Sequence, residues 1–302
     1  MSTIVLTAVS YLLMVCLGYM FKRLGLVKQS DGKAFAQIVL KITLPCAIIT
    51  SFSTFRMDYS LLILILFGFL GNVFQVGFGV LYSRGKSRDE KVHYIANAGY
   101  NIGNFTLPFT SSFSEPMGVI TTSLFDTGNA VMLLGFNYLI ADNISNKKKG
   151  GFKPLLVIRK LLSSPSFDAY LIMMIIALLD IPIPRGIFSI TGEIAKANGP
   201  MAMFMVGIMM QINFSKKYVK SSAVVLGFRF GIAAIFSIIF SQLKFLPPEV
   251  IKSAIIVSWS PIASAAPAYV SMLDGDEAMA SFVNAVSILV SIVLIPILAI
   301  VL

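Results

Sequence analysis

The sequence predicts an all-α integral membrane protein, and three observations carry that reading. Hydrophobic residues make up 57% of the 302-residue chain and charged residues 13%, about half the ~25% charged content of a soluble domain. Apolar runs of about twenty residues recur from end to end, each long enough to cross a hydrocarbon core ~30 Å thick. The basic residues fall mainly in the short stretches between those runs. Almost nothing is left over for a soluble catalytic domain.

Taken in order, the runs predict ten spans at roughly 3–21, 34–54, 60–82, 93–112, 118–140, 162–181, 188–211, 219–241, 249–272 and 279–301. The first lacks a basic segment ahead of it and carries Lys22 and Arg23 behind it, so it reads as a retained span and not a cleaved signal peptide. Loops after spans one, three, five and seven hold 17 basic residues, against 4 on the opposite side, Arg56, Arg185, Lys244 and Lys252. By the positive-inside rule, both termini of this multi-pass cell-membrane protein face away from the cytoplasm. The net charge of +10 is therefore a topology signal, and no nucleic-acid partner is expected. Cys16 and Cys46 fall inside spans as small apolar fillers.

The chain divides at its longest connection. Residues 1–140 hold the first five spans, 141–161 form a basic cytoplasmic linker with Lys147, Lys148 and Lys149, and 162–302 hold the second five. An odd number per half inverts the second half relative to the first, the repeat logic of many secondary transporters. The prolines agree: Pro45 and Pro108, in spans two and four, lie 63 positions apart, and Pro200 and Pro267, in spans seven and nine, lie 67 apart.

Spans four and nine carry residues that a lipid-facing helix would not choose. Span four contains Asn97-Ala-Gly-Tyr-Asn-Ile-Gly-Asn-Phe-Thr-Leu-Pro108, and span nine contains Ser258-Trp-Ser-Pro-Ile-Ala-Ser-Ala-Ala-Pro-Ala268. Gly, Asn and Pro favour broken helix, and irregular backbone at membrane depth survives only where protein or a watery cavity satisfies it. Both helices are thus predicted to unwind near the midplane and cross there, offering free N–H groups to an anion. The candidate substrate contacts are Asn101, Gly103, Asn104, Thr106 and Pro108 from the first, with Ser258, Ser260, Pro261, Ser264 and Pro267 from the second. Close helix packing is the competing use for the small residues.

Ionisable residues inside spans are costly and mark partners or function. Asp126, with Asn129 one turn on, suits H+ exchange or Na+ ligation, or pairing with Lys41 or Arg229. Lys41, just ahead of Thr43-Leu-Pro45, either offers a charge to the solute or snorkels. Arg229 is expected to meet an acidic partner or an anion, and Gln75 and Asn72 to line the cavity. Glu193 and Lys196 suit an i,i+3 pair, and His93 an interfacial place beside the basic 84–91 loop. With one histidine, no metal-ligand spacing and no phosphate-binding glycine loop, an enzyme is not expected, nor a metal or cofactor beyond an H+ or Na+ coupling ion.

The ordered motifs resemble the auxin efflux carrier family. Gly18-Tyr-Met-Phe-Lys-Arg-Leu-Gly25, Thr43-Leu-Pro45, Asn101-Ile-Gly-Asn-Phe-Thr-Leu-Pro108, Pro200-Met-Ala-Met-Phe-Met-Val-Gly207 and the run from Pro267 through Asp274 to Leu294-Ile-Pro296 carry the likeness along the whole chain. The resemblance implies ten spans in two inverted five-helix repeats, crossed broken helices at spans four and nine in an NhaA-like arrangement, and an external N-terminus. It also implies secondary transport of organic anions such as malate, malonate or an auxin-like acid. Plant members often carry a large central loop that this chain lacks, so it resembles the compact, prokaryotic type. The partners expected are a small organic anion and membrane lipid, with a homodimer left open. The alternatives are a membrane receptor or sensor that binds a lipid or metabolite without moving it, and a Na+-coupled carrier of bulkier amphipathic anions.

Overall fold

The computed structural model describes residues 2–54, 59–111, 114–146, 162, 165–210 and 216–302. Among them every regular element is helical. In chain order these are α1 (Ser2–Arg23), α2 (Gly32–Ile38), α3 (Leu44–Ser51), α4 (Ile63–Tyr82), α5 (Arg88–Ala96), α6 (Leu107–Thr110), α7 (Pro116–Val131) and α8 (Asn137–Asn146). There follow α9 (Pro165–Leu178), α10 (Arg185–Ala195), α11 (Asn198–Met209), α12 (Lys216–Gln242), α13 (Pro248–Ser258), α14 (Ala266–Met272) and α15 (Glu277–Val301). Turns of π-helix join α2 to α3 and α7 to α8 without a break.

Among the described residues, six stretches are long and apolar enough to cross a membrane: Val5–Arg23, Gln29–Ser51, Tyr59–Tyr82, Pro116–Ile144, Tyr218–Gln242 and Glu277–Val301. The four other predicted spans are helical as well. However, α9 is shorter, and α5/α6, α10/α11 and α13/α14 are interrupted. Large aliphatic side chains such as Leu6, Leu13, Ile172, Ile190 and Ile238 are exposed on the outside, as contact with lipid requires. Helix α8 runs six residues into the predicted linker. The basic stretch 147–161, with Lys147 to Lys149, Lys153, Arg159 and Lys160, lies outside the described residues, as does Arg56.

Paired glycines set the tightest helix contacts. A Cβ on Gly18 of α1 would stand 2.2 Å from the Phe204 carbonyl of α11, and one on Gly207 would stand 2.1 Å from the Val15 carbonyl. Gly68 of α4 and Gly128 of α7 repeat the arrangement, each 1.9 Å from a carbonyl on the other helix. Where lipid competes for apolar surface, such backbone approach brings helices together.

The prolines act differently from the prediction. Pro45 and Pro108 each stand in the first turn of a helix, directly after a π-turn, Val39–Thr43 or Ile102–Thr106. The widened turn accommodates the missing N–H and the ring. The break in the fourth span therefore falls upstream of Pro108, at 97–101.

Candidate functional site

The two interrupted spans meet at their breaks. After α5 the chain turns through Gly99 at φ +99°, a conformation that a side chain disfavours, and Tyr100 then forms an isolated antiparallel bridge with Ile262. The Asn101 N–H donates to the Pro261 carbonyl at 2.9 Å, and the Ala263 N–H to the Gly99 carbonyl at 3.2 Å. Backbone that left its helix is thus satisfied by the other break, as burial away from water demands.

Arg229 of α12 locks this junction from one side. It is 1% exposed. Its Nε donates to the Ser260 carbonyl at 3.0 Å, and Nη2 donates to those of Gly99 and Pro261 at 2.7 and 2.8 Å. Its Nη1 donates to Gln75 Oε1 at 2.6 Å, and the guanidinium lies over the Tyr100 ring at 4.6 Å. The acidic or anionic partner predicted for Arg229 is therefore replaced by carbonyls, which gather where α5 and α13 end and carry their negative dipole ends. Gln75 holds this arginine.

On the other side lies a cavity of about 210 Å3. It is lined by Asn101, Gly103, Asn104, Asp126, Asn129 and Ser264 among the predicted residues, and by aliphatic side chains of Leu40, Leu44 and Ile48. Asn129 Nδ2 donates to Asp126 Oδ1 at 2.7 Å, and Asn101 Nδ2 donates to Ser264 Oγ at 2.8 Å. A Cβ on Gly103 would stand 3.8 Å from Asp126 Oδ2, so glycine keeps this space open. Asn104 Oδ1 and the Tyr170 hydroxyl are buried without a hydrogen-bond partner, although both residues line the cavity. Orphaned polar groups facing a cavity are fit to receive a ligand. Among the described residues, no lysine, arginine or histidine lines it.

The remaining candidates lie elsewhere. Thr106 Oγ1 donates to Ser260 Oγ at 2.7 Å, so both are consumed in joining the breaks. Ser258 bonds back to the Ile255 carbonyl, Pro108 is buried in α6, and Pro261 contributes its carbonyl to the junction. Pro267 lines a separate cavity with Ser264. Thr43 donates to Asn198 Oδ1 at 3.0 Å, and Lys41 is exposed and absent from the cavity lining. Asn72 donates to Asn129 Oδ1 at 2.9 Å, behind the cavity wall. His93 corrects the interfacial expectation, being fully buried between Ser221 Oγ at 2.7 Å and Asn97 Nδ2 at 3.1 Å. Glu193 and Lys196 do pair, at 2.7 Å.

Sequence reasoning missed Tyr170, Asn284 and Ser287. The last two, polar and three apart in the most apolar span, were the legible signal.

The profile of the family described as membrane transport protein matches residues 3–299. The chain belongs to this family, the auxin efflux carriers. A curated relative from Methanothermobacter thermautotrophicus, described as an uncharacterized transporter, is 25% identical over 231 residues, covering 74% of this chain and 73% of the relative. This auxin efflux carrier family member is thus a multi-pass membrane transport protein and not an enzyme. Its ordered motifs acquire physical roles: Gly18 and Gly207 let α1 and α11 touch, and Asn101 to Asn104, with Leu107, build one wall of the cavity.

Proposed function

We propose that this chain is a secondary active transporter of a small organic anion, working by alternating access around the paired helix breaks. Ten crossings arranged as two inverted five-helix repeats, 1–140 and 162–302, place the breaks of spans four and nine at the bilayer midplane, with both termini outside the cytoplasm. The observation that carries the reading is the cavity at the junction, where Asn101, Asn104, Ser264 and Asp126 converge within otherwise apolar helices.

The chemistry follows from that arrangement. Neutral donors at the junction, Ser264 among them, hold the carboxylate, and the aliphatic wall of Leu40, Leu44 and Ile48 accepts the organic part. Asp126 is the coupling group: an ionised carboxylate beside an anion favours loading of H+ or Na+, which links the solute's movement to an ion gradient. The helices carrying the breaks rock or slide against the rest, exposing the junction to each side in turn.

The test is uptake by purified protein in proteoliposomes, with malate, malonate, citrate and indole-3-acetate offered under imposed pH and Na+ gradients. Saturable, gradient-driven uptake of at least one acid is the expected result. Saturable binding with no flux in any gradient would sink the transport reading.

A further inference from the structure

Matching clamps hold the two breaks. Asn129 of α7 grips both backbone groups of Tyr100: its Oδ1 accepts from the N–H at 2.9 Å, and its Nδ2 donates to the carbonyl at 3.1 Å. On the bridge partner Ile262, two residues of α15 do the same. Ser287 Oγ accepts from the Ile262 N–H at 3.0 Å, and Asn284 Nδ2 donates to its carbonyl at 2.8 Å. Asp126 precedes Asn129 by three positions, and Asn284 precedes Ser287 by three. The place held by a carboxylate at one clamp is held by an amide at the other.

Each clamp has its own cavity. Asp126 lines the first. Asn284 lines a second one, of about 250 Å3, together with Ser264, Pro267, Ser281 and Lys33. Ser264 lines both, so the two separate spaces flank one residue of the junction. Their charges differ. Among the described residues the first has a carboxylate and no basic group, so a bare anion there meets repulsion that no described lining residue offsets. In the second, the inner polar groups are neutral and Lys33 stands at an exposed position. Glu277 also lines this cavity, at an exposed place in the first turn of α15, where the helix dipole offsets part of its charge.

We propose that the cavity lined by Lys33, Ser281 and Ser264 is a second ligand site, which takes the carboxylate of the organic anion, while Asn284, both of whose N–H groups are given to the Ile262 and Ala263 carbonyls, fixes its inner wall. It deepens the transport reading and rests on it for the identity of the ligand. The cavity at Asp126 is left to the positive partner and to the apolar part of the solute.

Charged thiol reagents test this without a known substrate. In full-length protein carrying Cys16→Ser and Cys46→Ala, Ser281→Cys and Thr127→Cys report on the second and first cavities. Each is treated with anionic sulfonatoethyl and cationic trimethylammonioethyl methanethiosulfonate, and the rate ratio is normalised to a free thiol. The anionic reagent is expected to be favoured about tenfold at Ser281→Cys, with the opposite preference at Thr127→Cys. Lys33→Gln should bring the first ratio to about one. A ratio at or below one for Ser281→Cys, or one indifferent to Lys33→Gln, overturns the proposal. If Ser281→Cys fails to fold, Gln29→Cys at the same cavity replaces it. Any acid that the flux assay finds to be carried should protect Ser281→Cys, and protection confined to Thr127→Cys also overturns the proposal. Absence of flux with every acid defeats the transport reading alone, because the reagent ratio is measured independently of it.

Discussion

The two sides of the junction are built from similar residues and do opposite things. On the Arg229 side, a full positive charge is buried and each bond it makes is short and paired with a carbonyl or an amide oxygen, although Gln75 Nε2 and the Tyr100 hydroxyl beside it lack a partner. On the Asp126 side, a carboxylate shares a cavity with an amide oxygen and a phenol that have no partner. A polar group that is fully satisfied rigidifies, whereas one left waiting beside empty space is poised to bind. On the proposed mechanism, the contrast separates a fixed junction from the surface that meets the solute.

The largest effect should come from breaking the satisfied side. Arg229→Leu leaves the Ser260 carbonyl and Gln75 Oε1 without their partner and strips one of the two bonds from each of the Gly99 and Pro261 carbonyls, and we expect a loss of about 3–5 kcal/mol, read as a collapse of thermal stability in detergent. Arg229→Lys keeps the charge without the planar fork, so partial stability and loosened transport are expected. If Arg229→Leu melted at the wild-type temperature, the arginine would not be the lock.

Changing Asn101 and Asn104 jointly to Leu should reverse the pattern. Uptake should fall at least about tenfold while folding survives, since the side chains lose only the bond to Ser264 among those described above. Asp126→Asn sharpens the comparison further. Gradient-driven uptake should be lost while exchange of labelled for unlabelled solute persists, which tracer counterflow measures. Gly18→Ala, away from both sides, forces a methyl against the Phe204 carbonyl and should cost about 1–3 kcal/mol in stability. Lys41→Gln is the smallest change, and uptake should stay within about twofold because this side chain is exposed.

Much of this was legible in the chain itself. Apolar runs located the helical segments, and the clustering of Asn, Gly and Ser in spans four and nine located the breaks. The motif glycines could be read as important, though not which helix each one meets. Arg229 was misread because an arginine within a span suggests an acidic partner. Bare carbonyls at a helix end exist only once the helix has broken, so no residue type advertises them. His93 was misplaced for a related reason: neither Ser221, 128 positions away, nor the local basic loop hints that the two should meet.

Hydrophobic length and composition, which are local sums over the chain, were enough to determine a membrane-embedded helical transporter with two weakened helices. Only the tertiary structure decided which face of each break is sealed and which is open. That choice depends on contacts such as Gln75 with Arg229 and Asn101 with Ser264, between residues 154 and 163 positions apart. Packing sets those distances, and no stretch of sequence contains them.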